Sequence, residues 1–98
     1  MATFISTIKF TEQGIQNIKD TCKRSNAFKA AAKKRGVKVP DIYWTLGPSD
    51  GLLVFDAPDE ETATALMLQL CSLGNVHTQT SRAYKAAEME GILAKMNG

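Results

Sequence analysis

Most of what would announce a specialised site is missing from this sequence. A single histidine, His77, rules out a metal centre built from several histidines of one chain. The only two cysteines, Cys22 and Cys71, lie far apart and form no Cys-x-x-Cys, so neither a zinc knuckle nor a redox pair is encoded. Each falls on the apolar stripe of an expected helix, which predicts buried free thiols, and a reducing cytosol argues against a bridge between them. There is no glycine-rich phosphate loop and no paired carboxylate set, no grouping of serine or cysteine with histidine suggests a triad, and no cofactor is expected. Charge of one sign is not in excess: 12 Lys and Arg face 10 Asp and Glu, a formal net charge of +2. That balance gives no global signal for a nucleic acid. Long apolar runs are absent too. MATFISTIKF alternates polar and apolar residues, which predicts neither a signal peptide nor a membrane span, and a cytoplasmic protein without a membrane partner is expected.

What is present is the content of one ordinary core. With 98 residues and 44% hydrophobic content, the chain suits a single domain over residues 1–98. Phe4, Ile8 and Phe10 alternate with Ile5, Thr7 and Lys9, the period of a strand, which ends at Thr11-Glu12-Gln13-Gly14. Ile15, Ile18 and Cys22 then recur at helical spacing, but the stripe slips in phase before Phe28, Ala31 and Ala32. A helix broken near Asp20-Thr21 and resumed up to Gly36 accounts for the slip. Val37 to Leu46 reads as a strand, with Ile42, Trp44 and Leu46 on one side and Val39, Tyr43 and Thr45 on the other. Pro40 places it at a sheet edge.

The run GLLVFDA is apolar on both faces, Leu52 and Val54 opposite Leu53 and Phe55, as befits a central strand covered above and below. Asp59 is placed to cap a helix in which Ala63, Leu66, Met67 and Leu70 form the buried stripe and Gly74 the stop. VHTQTSRAY is rich in β-branched residues yet polar on both sides, an edge strand. Met89, Ile92, Leu93 and Met96 mark a last amphipathic helix over about 85–96, beyond a core of about 3–85. The order predicts an α+β, ferredoxin-like βαββαβ sandwich with a four-stranded antiparallel sheet and an extra C-terminal helix. Both crossing helices cover one face of such a sheet. A second copy of the chain is the expected cover for the other, so the protein is its own expected partner.

The run YWTLG, the Gly-x-x-Asp turn, the junction LLVFDAPDEETA, the segment LGNVHTQTSRAY and the start KFTEQGIQNIKDT resemble the GYD-domain family of small bacterial proteins. The resemblance spans about residues 3–85. It implies a fold similar to the dimeric α+β barrels, and it implies no particular activity. The family's Gly-x-Tyr-Asp turn reads Gly47-Pro48-Ser49-Asp50 here, with serine in the place of tyrosine.

Tyr43, Trp44, Asp50 and His77 are the candidate residues for a ligand site in an apolar cavity. Asp50 belongs to a turn that Gly47, Pro48, Ser49 and Asp50 suffice to form, with Ser49 and Asp50 able to bond nearby backbone amides. Its alternative role is a base or acceptor at a pocket mouth beside Tyr43. His77 is either a surface histidine or a proton acceptor of the kind that cofactor-independent barrel enzymes use on small organic substrates. Lys23, Arg24, Lys29, Lys33, Lys34, Arg35 and Lys38 form a run without an acidic residue. Lacking interleaved exposed aromatics, it reads as a solvated helix face rather than a nucleic-acid grip. Three functional classes remain open: a self-assembling module that binds a small molecule, a cofactor-independent enzyme, and a regulatory or scaffolding module.

Overall fold

In the computed structural model, which describes residues 1–97, four strands form one antiparallel sheet in the order β2-β3-β1-β4. The strands are β1 (Ala2–Phe10), β2 (Lys38–Trp44), β3 (Gly51–Ala57) and β4 (Val76–Ala83), with β1 and β3 central as the sequence pattern requires. Between β1 and β2 the chain makes α1 (Glu12–Gln16), a 3-10 turn (Ile18–Asp20) and α2 (Thr21–Lys34). Helix α3 (Glu60–Ser72) joins β3 to β4, and α4 (Ala86–Ala94) follows β4. The helical break falls where the phase slips. Gly36 then takes a left-handed φ of 73° just past α2, a conformation that side chains disfavour.

The core lies between the sheet and α2 and α3. Register places Phe4 opposite Phe55, their rings stacked with centroids 5.3 Å apart. Around them pack Leu53, Ala57, Ala32, Val37, Ala63, Leu66 and Met67, all buried, so the α3 stripe does what its spacing predicts. Leu68, off that stripe, is exposed. Two buried hydroxyls are satisfied: Thr3 donates to Asp56 at 2.5 Å, and Ser6 accepts from Thr80 at 2.9 Å.

Three local expectations are corrected. Val39 packs against the core with Ile42, on the same side, because the ladder between β2 and β3 shifts register between Lys38 and Asp41. An irregularity of that kind, at the edge position of Pro40, turns one side chain over. Leu46 lies beyond the end of β2 and is fully exposed. Ile15, Ile18 and Cys22 point to solvent, not inward. In α1 the buried residue is Gly14, whose missing side chain lets the backbone approach Asn75; a Cβ there would sit 2.1 Å from the Asn75 carbonyl oxygen. The isoleucines are therefore turned away from the core.

Helix α4 stands clear of the body. Met89, Ile92, Leu93 and Met96 are all exposed, and the molecule measures 53 × 31 × 19 Å. Its radius of gyration of 14.9 Å exceeds the roughly 12.6 Å of a compact chain of this length.

Candidate functional site

The sheet has two unlike faces. Toward the helices it presents Phe4, Ser6, Ile8, Leu53, Phe55, Ile42 and Trp44; away from them it presents Ile5, Thr7, Lys9, Leu52, Val54, Asp41, Tyr43 and His77. Among the described residues the middle of this second face is not closed over: Ile5 is exposed, and Thr7, Leu52 and Val54 are half-buried. Tyr43 donates a hydrogen bond to Asp41 at 3.2 Å, and His77 stands opposite Lys9 across the β1/β4 ladder. Tyr43 and His77 occupy opposite edge strands, three strand spacings or roughly 14 Å apart.

The Gly47–Asp50 turn is a corner tied down on every side. Thr45 N–H donates to the Asp50 carbonyl at 2.9 Å, and the Asp50 N–H donates to the Ile8 carbonyl at 2.8 Å. The Thr45 hydroxyl reaches the Ser49 carbonyl at 2.6 Å. The Asp50 carboxylate accepts the Phe10 N–H at 2.9 Å, beyond the last ladder pair of β3 with β1. Each of these bonds joins the turn to itself or to β1, so the acceptor predicted for chemistry is holding backbone.

Beside this corner, on the helix side, α2 and α3 flank a cavity. Arg35, just past α2, clasps Gln69 of α3 through two bonds of 3.1 and 2.6 Å. Toward the Thr21 end of α2, and near Leu73 just past α3, lies the cavity itself, partly open and of about 90 Å³. Ile8, Phe28, Ile42, Leu53 and Leu70 supply apolar wall, and Arg24 and Asp50 are the charged residues at its boundary. Trp44 stands at the boundary too, its indole N–H donating to the Thr21 hydroxyl at 3.0 Å.

Of the four sequence-predicted site residues, Trp44 and Asp50 border this cavity from the helix side; Tyr43 adjoins it only by its place in β2, its side chain lying with His77 on the other face of the sheet. Sequence reasoning missed Arg24, Phe28, Leu70 and Leu73 as wall residues. Arg24 sits in the basic run, and Phe28 and Leu70 carry the helical spacing of core residues. Nothing in that spacing shows that these residues border a cavity rather than fill one.

The charge shifts that stand out lie elsewhere. The Thr62 backbone N–H holds the Asp59 carboxyl below its ordinary range at the start of α3, with a 2.7 Å bond. Glu88 is lowered in the same way by the Lys85 N–H and then by Arg82. Among the described residues no helix is long and apolar enough to cross a membrane.

Comparison with known proteins agrees with this architecture. The chain is 32% identical over 90 residues to a Thermus thermophilus protein named "Glutamine synthetase and cystathionine beta-lyase binding protein", covering 91% of this chain and 95% of that one. The crystal structure of TTHA0845, also from Thermus thermophilus, superposes with a TM-score of 0.57 at 24% identity, over 88% of this chain and 96% of that one. The crystal structure of MtbAldR gives a TM-score of 0.62 at 14% identity, over 86% of this chain. There this chain spans about half of the longer protein, 53% of its length. Both structures share the α+β fold. The match of residues 4–93 to the GYD domain, with the relative identical at nearly a third of its positions, shows that this chain belongs to the GYD-domain family.

Proposed function

We propose that this protein is a binding module that pairs with a second copy of itself through the open face of its sheet and offers the assembly to other proteins. One observation carries the reading: β3 is apolar on both faces, yet among the described residues the chain buries only the face of Leu53 and Phe55, leaving Leu52 and Val54 half-buried beside an exposed Ile5. Ile5, Leu52 and Val54 occupy the middle of the uncovered side, with Lys9, His77, Asp41 and Tyr43 toward its rim. An apolar centre inside a polar rim is the anatomy of an interface. Four strands about 4.8 Å apart and about seven residues long present roughly 480 Å². Two such faces bury about 950 Å², short of the roughly 1,200 Å² of a stable contact, so the exposed stripe of α4 belongs in the same interface. The related protein named for binding two enzymes supports a protein-binding role over a catalytic one. His77, in this reading, serves the pairing face.

Native mass spectrometry tests the pairing. The wild-type chain is expected as a dimer or a larger even assembly, and Val54→Lys as a folded monomer with an unchanged circular dichroism spectrum. A wild-type monomer at micromolar concentration overturns the reading.

The cavity beside Trp44 favours a second, compatible reading, in which the module also takes up a small molecule, with Trp44 and Asp50 at its wall. Its support is the largely apolar lining of that partly open space. Because this space lies inside one subunit, uptake and pairing are separable.

A further inference from the structure

We propose that the cavity beside Trp44 takes up a small organic acid, its carboxylate on the Arg24 guanidinium and its ring or branched tail directed inside. The assignment rests on reading that cavity as a ligand site, and it names the ligand's class from three observations.

The first is size. At about 90 Å³, the space is smaller than the roughly 150 Å³ apolar void known to admit benzene. A short branched chain or part of a single ring is the most it encloses, and because the cavity is open on one side, the rest of the ligand stands at the mouth.

The second is charge. Arg24 is half-buried at the cavity boundary and carries a permanent positive charge. Its guanidinium donates to the Asn17 carbonyl at 2.7 Å and, at the limit of bonding, to the Gly14 carbonyl at 3.5 Å. Neither neutralises it. The ion pairs among the described residues join Arg82 to Glu88 and Lys85 to Asp56, so Arg24 has no carboxylate of its own there. Five N–H donors serve two carbonyls, and a fork of that shape matches a carboxylate.

The third is direction. The one acidic residue on the cavity wall, Asp50, is committed to the Phe10 N–H. Its charge repels a second carboxylate from the corner, which leaves the Arg24 side for the head group. A neutral apolar molecule fills the volume equally well but leaves the guanidinium unanswered.

Trp44 is the only tryptophan of the chain and borders the cavity, so its fluorescence reports occupancy directly. The full chain is titrated with phenylacetate and isovalerate as acids, phenylacetamide as the neutral isostere, and toluene as the bare ring, with calorimetry alongside. Phenylacetate is expected to bind about ten- to a hundredfold more tightly than phenylacetamide, the range of one charge-assisted hydrogen bond. Arg24→Gln, checked for an unchanged fold, is expected to erase that preference while leaving toluene binding intact. Equal binding of acid and amide by the wild type, or toluene binding without either acid, overturns the organic-acid assignment and leaves the cavity a ligand site for neutral molecules. Failure of all four probes, toluene included, overturns the ligand site itself. The wild-type comparison of acid with amide decides the matter even if the variant does not fold.

Discussion

Asp50 and Asp59 show how differently two aspartates are legible. Asp59 precedes a helix with an acidic first turn, a local pattern, and its carboxylate accepts the Thr62 N–H as a cap should. Because that bond lowers the folded-state pKa from 3.8, the ionised cap stabilises the fold above that value and is lost as the pH falls through the depressed one. Wild type is therefore expected to melt at a higher temperature than Asp59→Ala at pH 6, with the gap narrowing as the pH drops below about 4. Melting curves across pH check this, and a gap that stays constant into strong acid refutes the cap. Asp50 has no comparable local signature, since its partner, Phe10, is 40 residues away in sequence. Residue type identifies an acceptor there, but only the fold shows that a backbone amide takes it. Simple alternation puts Tyr43 and Trp44 on opposite faces, and that survives; it fails for Val39, because the irregularity near Pro40 leaves no mark in a two-residue period.

Among the elements, α3 and β3 are legible because burial shapes their whole length. Ala63, Leu66 and Met67 keep one stripe, and Gly51, Leu53, Phe55 and Ala57 keep one face. Helix α1 misleads because its packing surface is a glycine, which hydropathy does not register. Closeness there comes from absence of a side chain: Gly14 meets Asn75, the Thr11 hydroxyl bonds the Gly74 carbonyl at 2.5 Å, and Gln13 bonds the Leu73 carbonyl at 3.0 Å. Gly14→Ala drives a methyl into a carbonyl oxygen that belongs to backbone. Chemical denaturation is expected to show a loss of about 1–3 kcal/mol, the usual cost of overpacking, whereas an unchanged midpoint refutes the close approach. The void beside Trp44 is illegible for a related reason: its wall is assembled from α2, α3 and all four strands, far apart in sequence, and not from any residue type.

At the scale of the whole molecule, the uncovered sheet face and the outstanding helix α4 are two halves of one unfinished surface. Both halves are visible in the sequence, as a strand apolar on two sides and a stripe with nowhere to dock. If a second copy completes them, α4 amides are expected to exchange with solvent freely in dilute Val54→Lys monomer and to be protected in concentrated wild type. Hydrogen exchange followed by mass spectrometry reads this, and equal exchange in the two samples removes α4 from the interface. The root of that helix is firmly set. Arg82 lies over the Phe4 ring at 5.8 Å and the Tyr84 ring at 4.6 Å, bonds the Thr3 and Ala83 carbonyls, and grips Glu88 at 3.2 Å. Glu88 in turn takes the Lys85 N–H. A spur mounted this way has a fixed bearing, like a bracket and not a tether. If a second copy docks against it, that bearing limits the approaches open to the copy, and a handful of side chains at its base sets the symmetry of the pair.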